Sequence, residues 1–519
     1  MSDPGADTLQ AVPDDPSAPA PASAGAASRE PLNVRIAIIG SGFSGIGMAI
    51  RLKQAGIEDF VILERADDVG GTWEANTYPG CQCDVPSHLY SFSFELNPSW
   101  TRTYSKQPEI WAYLRRCAER YDLHSHLRFG HELTAATWDE QAQRWHVETS
   151  RGAFSAQLVI DATGPLSQPA LPAIRGLRRF EGKIFHSAQW DHDHDLSGER
   201  VAVIGTGASS IQFVPRIQPQ VGRLHLFQRT PPWIMPHTDR PTSSFERRLY
   251  RRLPIAQRVV RAAVYWTRES YVLAFAKRPA LGRGAERIAR MHLRRHVRDE
   301  HLRRKLQPQF RLGCKRVLLS NEFYPALTQP NVELVTERIA GVEGREILLG
   351  DGSRREVDTI ILGTGFHVTD PPTARLVRGI GGRTLAQAAG RSPQAYLGTA
   401  MAGFPNVFRI IGPNTGLGHN SMVYMIESQL SYVMDAIGTM DARGIGRVEV
   451  RPEVVTAFND EIQEMMQGTV WMSGCQSWYL DADGRNTTLW PDFTFRFRER
   501  TRHFDPESYD LRVGVPVPS

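Results

Sequence analysis

Two stretches of the chain show the same order of apolar, glycine and mixed positions. Arg35–Gly40 is a short apolar run that ends in glycine, and residues with helical apolar spacing follow it as far as Gly56. Arg200–Ile217 repeats this order later in the chain. A continuous apolar run before a glycine is typical of a buried parallel strand, and the spacing after it is typical of a helix. We therefore predict an α/β chain with two units of strand, glycine turn and helix.

The first glycine turn has the spacing of a dinucleotide-binding fingerprint. Gly40, Gly42 and Gly45 match GxGxxG, in which the second glycine lets the backbone approach a pyrophosphate at a helix N-terminus. Glu64 ends the next apolar run, 24 residues after Gly40, where a carboxylate can accept hydrogen bonds from both ribose hydroxyls. A tight turn without a ligand is the alternative, but strand, turn, helix, strand and acid in this order favour a Rossmann-like site. Because Glu64 would repel a 2′-phosphate, we assign this site to FAD.

The second glycine turn differs from the first at two positions. Gly205 and Gly207 match the first two glycines, but Ser210 occupies the third position, where a small residue still allows helix and strand to pack closely. Arg229 stands 24 residues after Gly205, in place of the acid, and would pair with a 2′-phosphate. A solvated surface arginine is the alternative. We therefore predict an NADPH site, formed by Gly205, Thr206, Gly207, Ser209, Arg229 and Thr230.

Three further segments fit a flavoprotein with two dinucleotide sites. Gln157–Pro169 and Val357–Phe366 each end an apolar strand with a Thr-Gly turn, as where a chain passes between such domains. Asn406–Gly416 is similar to a segment that returns to the flavin, and it adds Asn414 to the predicted cofactor contacts. Each signal is weak alone, because an apolar strand followed by glycine is common in α/β proteins.

The segment before the second glycine turn carries a family resemblance. Phe180–Asp191 (FEGKIFHSAQWD) matches FxGxxxHxxxW(P/D), the fingerprint of type I Baeyer–Villiger monooxygenases. Gly70–Phe94 resembles the flavin-embracing segment of that family, and the resemblance runs from about Val34 to the C-terminus. The fingerprint positions are Phe180, Gly182, His186, Trp190 and Asp191, and the flavin segment adds Gly71, Thr72, Trp73 and Asp84 to the predicted cofactor contacts.

The resemblance implies a Baeyer–Villiger monooxygenase that inserts one oxygen atom of O2 next to a ketone carbonyl, through a C4a-peroxyflavin, giving an ester or lactone. Arg316 resembles the active-site arginine, Asp84 the carboxylate that holds it, and Lys315 a contact to the NADPH phosphate. Only arginine stays charged throughout the reaction, so it can stabilise both the deprotonated peroxyflavin and the tetrahedral oxyanion that forms when the carbonyl is attacked. A surface basic pair is the alternative for Lys315 and Arg316. For His186 we favour a structural role in coupling the domains over acid–base chemistry.

Residues 240–312 interrupt the second unit with arginine-rich, amphipathic segments, which predict an inserted helical subdomain. Basic amphipathic helices can dock on a membrane or on nucleic acid, but we favour helices that pack over the active site with a solvated arginine face.

The aromatic residues Trp478, Tyr479 and Trp490 could line the substrate pocket or belong to the core. The predicted parts are a disordered tail (1–33), an FAD-binding domain (34–165 and 386–519), a linker with the first part of the NADPH-binding domain (166–239), the insertion (240–312) and the second part of the NADPH-binding domain (313–385).

Chain length, net charge, cysteine spacing and hydropathy indicate the number of domains, the kind of ligand and the cellular compartment. A chain of 519 residues exceeds one hydrophobic core, and a net charge of +5 suits anionic cofactors without indicating nucleic acid. Five cysteines form no even framework and no CxxC pair, which favours free thiols in a reducing, cytoplasmic compartment. No stretch is apolar enough to span a bilayer, and the tail lacks the features of a secretory signal.

Two alternatives to a Baeyer–Villiger enzyme stay open at this point. An N- or S-oxygenating flavin monooxygenase would use the same cofactors with a protonated hydroperoxide. A non-oxygenating FAD/NADPH flavoprotein, such as a disulfide reductase or a regulatory protein, is the third hypothesis, and the lack of CxxC disfavours the reductase. The predicted partners are a small-molecule ketone and O2, while the choice of ketone and the oligomeric state stay open.

Overall fold

The computed structural model describes residues 30–514. Most of the predicted tail, residues 1–33, lies outside the described residues, and the first strand already begins at Leu32. The strands are β1 Leu32–Ile39, β2 Phe60–Leu63, β3 Leu127–Arg128, β4 Leu133–Asp139, β5 Arg144–Thr149, β6 Gly152–Asp161, β7 Lys183–His186, β8 Arg200–Ile204, β9 Arg223–Phe227, β10 Ile234–Met235, β11 Leu318–Leu319, β12 Val332–Val335, β13 Ile339–Glu343, β14 Glu346–Leu349, β15 Arg354–Glu356, β16 Thr359–Leu362, β17 Val377–Arg378, β18 Val407–Arg409, β19 Ile445–Val450 and β20 Tyr509–Val513.

The helices connect these strands and supply the insertion. They are α1 Phe43–Gln54, α2 Thr72–Ala75, α3 Gln107–Arg120, α4 Ser210–Ile217, α5 Ser244–Arg252, α6 Pro254–Glu269, α7 Gly282–His296, α8 Glu300–Leu306, α9 Phe323–Leu327, α10 Leu385–Ala389, α11 Met422–Arg443, α12 Pro452–Met466 and α13 Thr494–Arg500. Among residues 30–514, none of these helices combines the length and apolar character that crossing a bilayer requires.

Two sheets carry the two glycine turns. The larger has the order β17-β4-β5-β6-β1-β2-β3, with β18 also paired to β6, and its β6, β1 and β2 run parallel. The smaller is fully parallel, with the order β12-β9-β8-β16-β7. The glycine turns follow β1 and β8, which lie in the interior of their sheets, so both turns leave the carboxyl ends of buried strands.

The third position of each turn shows why a small residue is needed. A Cβ atom on Gly45 would lie 1.9 Å from the carbonyl oxygen of Gly40, so any side chain there would push α1 away from β1. Ser210, at the same position of the second turn, is fully buried and faces Gly363. A Cβ on Gly363 would lie 2.1 Å from Ser210 Oγ, so the missing side chain at Gly363 makes room for the serine. The missing side chain of Gly363, just after the neighbouring strand β16, therefore compensates for a serine in place of the third glycine of the motif.

The helical insertion begins and ends at adjacent strands. Its helices α5 to α8 lie between β10 and β11, and these two short strands pair with each other in parallel. On its inward side α6 is tied to the larger unit, because Gln257 Nε2 donates to the Asn97 carbonyl at 2.7 Å and Arg261 Nη1 donates to the His88 carbonyl at 2.7 Å. The insertion is thus bound to both units through its two ends and its inner face.

A disulfide joins two distant segments, Cys314 beside Lys315 and Cys475 in the loop that precedes Trp478. The spacing of the five cysteines indicated no disulfide, and the structure corrects that expectation for this pair. The other three cysteines, Cys81, Cys83 and Cys117, are free and buried, and burial raises the pKa of each thiol. Pairing across 161 residues leaves no local sequence signal, because proximity depends on the whole fold.

We expect Cys314→Ser to lower the unfolding midpoint of the protein. A cross-link over so long a loop removes freedom from the unfolded chain, and native disulfides typically contribute about 2–4 kcal/mol. Thermal unfolding of the variant and of the wild type, with and without reductant, measures the effect. Three thiols should titrate in the denatured, unreduced wild type, and five thiols without reduction would contradict the cross-link.

Candidate active site

A large cavity opens where both glycine turns leave their sheets. Its volume is about 1620 Å³, against roughly 300–1,000 Å³ for a pocket that holds one small molecule. The space is therefore large enough for two ligands side by side. Most of the residues assigned from the sequence line it, namely Gly40, Gly42, Glu64, Gly71, Thr72, Trp73, Asp84, Gly205, Thr206, Gly207, Ser209, Arg229, Thr230, Lys315 and Arg316.

Gly42 and Gly71 face each other at the first end of the cavity. A Cβ atom on Gly71 would lie 3.0 Å from Gly42 Cα, and Gly71 has a φ of 53°, which side chains rarely adopt. A Cβ on Gly42 would lie 3.7 Å from Gly71 Cα, an ordinary contact. The protein alone therefore tolerates a methyl group at Gly42, and a larger side chain would take up the space between the two glycines.

Glu64 is held in a fixed orientation beside this gap. The backbone N–H and the hydroxyl of Ser41 donate to Oε2 at 2.8 and 2.7 Å, and the Ala66 N–H donates to Oε1 at 2.9 Å. The side chain is buried and lines the cavity. A carboxylate has about four acceptor positions, so one remains for a ligand hydroxyl.

Two cations, Arg229 and Lys315, line the other end of the cavity. Burial lowers the pKa of Lys315, and the positive charge of Arg229 lowers it further. Among residues 30–514, neither side chain forms an ion pair with a carboxylate. Two neighbouring cations without a protein counter-charge fit an anionic ligand, which would relieve their repulsion.

Arg316 and Asp84 form an ion pair in the cavity wall. Arg316 Nε and Nη2 both donate to Asp84 Oδ2, at 2.8 and 2.5 Å, which fixes the plane of the guanidinium. Nη1 reaches the Leu417 carbonyl only at 3.5 Å, so this nitrogen has little engagement within the protein. The pair therefore presents a positioned cation with donor capacity toward the cavity.

The charges of this pair stabilise each other. Burial would raise the pKa of Asp84, but the charge and hydrogen bonds of Arg316, with the charge of Arg268, lower it overall. The Asp84 carboxylate raises the pKa of Arg316, which outweighs the effect of burial. Arg268 is itself close, since its Nη2 donates to the Asp84 carbonyl at 3.3 Å. Both members of the pair are consequently ionised at any working pH.

Comparison with known proteins shows which protein family the chain belongs to. A model of the pyridine nucleotide-disulphide oxidoreductase family matches residues 37–253. A Baeyer–Villiger monooxygenase of Streptomyces coelicolor is 52% identical over 93% of this chain and 94% of its own length. The chain belongs to the Baeyer–Villiger monooxygenases.

Solved structures agree with this family. A steroid monooxygenase bound to NADP is 32% identical, with a TM-score of 0.81 over 93% of this chain and 100% of that one. OTEMO in complex with FAD and NADP is 26% identical, with the same TM-score and the same coverage. The predictions of a Baeyer–Villiger monooxygenase that uses FAD and NADPH, and of an α/β fold with two Rossmann-like domains, are therefore confirmed.

The fingerprint of this Baeyer–Villiger monooxygenase lies away from the cavity wall. Gly182 packs against the backbone, since a Cβ there would lie 2.2 Å from the Asp358 carbonyl oxygen. Trp190 packs between Phe185 and Phe213, with ring centroids at 5.2 Å from each, and Asp191 forms an ion pair with Lys183. Phe180 packs against the core of the smaller sheet. These contacts brace β7, the edge strand of that sheet.

His186 ends β7 and is buried. Its Nδ1 accepts a hydrogen bond from the Ala188 N–H at 3.1 Å, and its ring meets the Phe366 ring edge-on at 5.8 Å. Burial lowers the pKa of His186 to about 4, so the imidazole is neutral near pH 7. Because Phe366 follows the Thr-Gly turn after β16 and lines the cavity, His186 connects the fingerprint to the cavity wall through packing.

Two predicted contacts are not brought to the cavity. Asn414 is buried, and its Nδ2 donates to the carbonyls of Asn486 and Leu489 at 2.8 and 3.0 Å, so it ties the returning segment to the C-terminal loop. Gly45 lies under the first turn and serves the packing described above. Neighbours of Asn414, Gly412 and Pro413, do line the cavity.

A buried polar cluster beside the cavity was missed by sequence reasoning. Glu269 at the end of α6 accepts hydrogen bonds from Asn420 Nδ2 at 2.5 Å and from Thr494 Oγ1 at 2.9 Å. His419 Nε2 lies 3.8 Å from the same carboxylate. Asn420 lines the cavity, so this cluster joins the insertion to the cavity wall. These residues are far apart in sequence and match no motif, so only the fold brings them together.

Proposed function

We propose that this monooxygenase converts a ketone into an ester or lactone with FAD, NADPH and O2, and that Arg316, held by Asp84, is its catalytic cation. The observation that carries the proposal is the position of this ion pair in the wall of one cavity that reaches both glycine turns.

We also propose that the enzyme acts in the cytoplasm, where NADPH and O2 are both available. Cell fractionation would check this location.

The first end of the cavity fits FAD. Because Gly42 carries no side chain, a pyrophosphate could approach the backbone at the N-terminus of α1, and Glu64 would accept a hydrogen bond from a ribose hydroxyl. Thr72 and Trp73 line the same end, on α2. The related enzyme OTEMO binds FAD and NADP together in its crystal structure, which supports two dinucleotides in one cavity.

The second end fits NADPH. Gly205 has a φ of 109° and starts the turn before α4, where the backbone would face the pyrophosphate. Thr206, Gly207 and Ser209 continue this turn along the cavity wall, and Thr230 lies beside Arg229. Arg229 and Lys315 would bind the 2′-phosphate, because both are cations at this end that form no ion pair with a carboxylate of residues 30–514.

Arg229→Ala should raise the KM for NADPH by about tenfold to a hundredfold, since a hydrogen bond to a charged group contributes about 1.5–3 kcal/mol. The KM for NADH, which lacks the 2′-phosphate, should barely change. Steady-state oxidation of both cofactors measures the effect, with the exposed Arg443→Ala, at the end of α11, as a control. Equal use of NADPH and NADH by the wild type would contradict the assignment.

The chemistry divides between cofactor and protein. When bound, FAD reduced by NADPH activates O2 for attack on the substrate. Arg316 contributes a fixed positive charge toward the carbonyl oxygen, on which negative charge develops as the carbonyl carbon is attacked. Asp84 keeps the guanidinium plane in place through two hydrogen bonds to one oxygen, so the charge does not need to reorganise during the reaction.

The wall near Arg316 is suited to an apolar ketone. Leu417, whose carbonyl lies 3.5 Å from Arg316 Nη1, lines the cavity, as do Met422, Ile426 and Trp478, so the cavity that holds this cation also offers apolar side chains. Trp478 is 46% exposed and so lies at the mouth. Tyr479 and Trp490 are each 1% exposed and are part of the core. We therefore propose Trp478 as the aromatic residue that contacts substrate.

Product analysis with a mixed panel tests the proposal. Cyclic, linear and aryl ketones together with one thioether are incubated with the holoenzyme, NADPH and air, and products are separated by gas chromatography. Ester or lactone from at least one ketone class is the expected result. Sulfoxide as the sole product would favour a heteroatom-oxygenating enzyme, and NADPH oxidation without any oxygenated product would favour a non-oxygenating flavoprotein.

A further inference from the structure

Helix α6 presents apolar side chains to solvent. Ile255, Val259 and Trp266 lie on one face of the helix and are 56%, 61% and 59% exposed. Ala262 and Ala263 lie between them on the same face and are also exposed. The spacing is that of a continuous helical stripe, and Phe495 of α13 extends it, with its ring centroid 6.0 Å from that of Trp266.

The inward face of α6 is engaged with the protein through both apolar and polar side chains. Tyr265 is buried in the core, and its ring stacks on that of Tyr424 with centroids 4.9 Å apart. Gln257 and Arg261 donate to the carbonyls of Asn97 and His88, as described above, and Arg268 and Glu269 reach the cavity wall. A surface helix of a globular protein ordinarily exposes polar side chains on its outward face. In the described part of the chain, residues 30–514, the stripe of Ile255, Val259 and Trp266 instead stays exposed, although Trp266 has ring contacts with Tyr265 and Phe495.

The surroundings of the stripe are strongly cationic. Residues 240–312 contain 20 lysines and arginines and five acidic residues, a net charge of +15, whereas the whole chain carries +5. Arg251, Arg252 and Arg258 flank the stripe, are exposed, and form no ion pair within residues 30–514. This segment also holds ten of the seventeen large apolar side chains that are exposed in the described chain: Phe245, Leu253, Ile255, Val259, Trp266, Tyr271, Leu273, Leu281, Ile288 and Met291.

We propose that the stripe of α6 and its flanking arginines, here called the α6 surface, bind the interface of an anionic lipid bilayer. A helix that lies in a membrane interface combines an apolar face with arginines, and Trp, Leu and Ile are the side chains that enter the headgroup boundary. Each basic side chain near an anionic bilayer adds attraction. The occupant is a bilayer surface, on which α6 would lie parallel to the membrane plane.

Charge argues against two other occupants. A second copy of the chain would bring two segments of net charge +15 face to face, which is repulsive. Nucleic acid would satisfy the arginines but would offer no complement to Ile255, Val259 and Trp266. An anionic bilayer satisfies both parts of the surface.

Vesicle flotation with the full-length, FAD-loaded protein tests the proposal. Vesicles of phosphatidylcholine with phosphatidylglycerol should carry the protein upward at low salt, while phosphatidylcholine alone should carry little, and added salt should release it. Arg251, Arg252 and Arg258 changed together to Gln should weaken partitioning by about a hundredfold, because each basic residue contributes a factor of about five. Val259→Ser with Trp266→Ser should weaken it to a similar degree.

Matched controls separate this surface from general charge. Arg443, Arg451 and Arg502 are exposed arginines on other elements, and changing all three to Gln should leave partitioning unchanged. Equal loss in that control, or equal binding to neutral and anionic vesicles, would overturn the proposal. The proposal would also be overturned if sedimentation analysis without lipid showed a dimer of the wild type that the double variant Val259→Ser, Trp266→Ser dissociates. Tighter binding to duplex DNA than to vesicles would overturn it as well. Because flotation requires no turnover, it is independent of the proposed ketone oxidation.

Discussion

Arg316→Ala should bind FAD and be reduced by NADPH, yet release hydrogen peroxide instead of ester. Removal of one preorganised donor to a developing oxyanion costs about 10²–10³ in rate. A larger loss is expected here, because Arg316 is a charged donor that Asp84 positions in the cavity wall, and charge-assisted hydrogen bonds are stronger than neutral ones. The measurement is anaerobic reduction by NADPH followed by mixing with oxygen and ketone, with ester and peroxide both quantified.

Three companion variants separate charge from geometry. Arg316→Lys should restore only part of the ester yield, because a point charge cannot reproduce the two hydrogen bonds that Nε and Nη2 make to Asp84. Asp84→Ala should show a milder form of the same uncoupling. Arg443→Ala, on an exposed helix end, should behave as wild type. A normal ester yield from Arg316→Ala would remove this residue from the mechanism.

Gly42→Val should fold and lack flavin. A Cβ on Gly42 meets nothing closer than 3.7 Å in the protein, so the fold tolerates it. The branched side chain would cover the backbone of the turn, which the pyrophosphate is proposed to approach, and glycine is the residue that lets a ligand come close to the backbone. The ratio of flavin to protein absorbance after purification measures occupancy, and circular dichroism checks the fold.

A second glycine serves as the matched control for this variant. Gly152 begins β6, and a Cβ there would have no heavy atom within 4 Å, so Gly152→Val should retain full FAD. Gly45→Ala should instead disturb folding, because its Cβ would lie 1.9 Å from the Gly40 carbonyl oxygen. A yellow Gly42→Val protein with full FAD occupancy would refute the assignment of the first turn.

The sequence predicted those parts of the molecule whose conformation depends on residues that are close together in the chain. A glycine turn after an apolar run depends on neighbours within one βα unit, so both turns, Glu64 and Arg229 could be placed from their spacing alone. Arg316 and Asp84 are 232 residues apart, and only the family resemblance linked them before the structure showed their ion pair.

Features that depend on long-range packing had no sequence signal. The Cys314–Cys475 bond and the contact of Glu269 with Asn420 join segments far apart in the chain. The sequence predicted helices with a solvated arginine face in the insertion, but it gave no sign that α6 would also expose Ile255, Val259 and Trp266. The inward face of α6 includes Gln257 and Arg261, which donate to the buried carbonyls of Asn97 and His88.

Oxygen-18 incorporation during a single turnover tests the central claim most directly. The holoenzyme is reduced anaerobically with NADPH and mixed with oxygen-18 gas and the best ketone of the panel, and the product is examined by mass spectrometry. One labelled oxygen in the ester, at the inserted position, with the original carbonyl oxygen unlabelled, is the predicted result. An unchanged ketone, with the label only in hydrogen peroxide or in the sulfoxide of a competing thioether, would contradict Baeyer–Villiger oxidation by this protein.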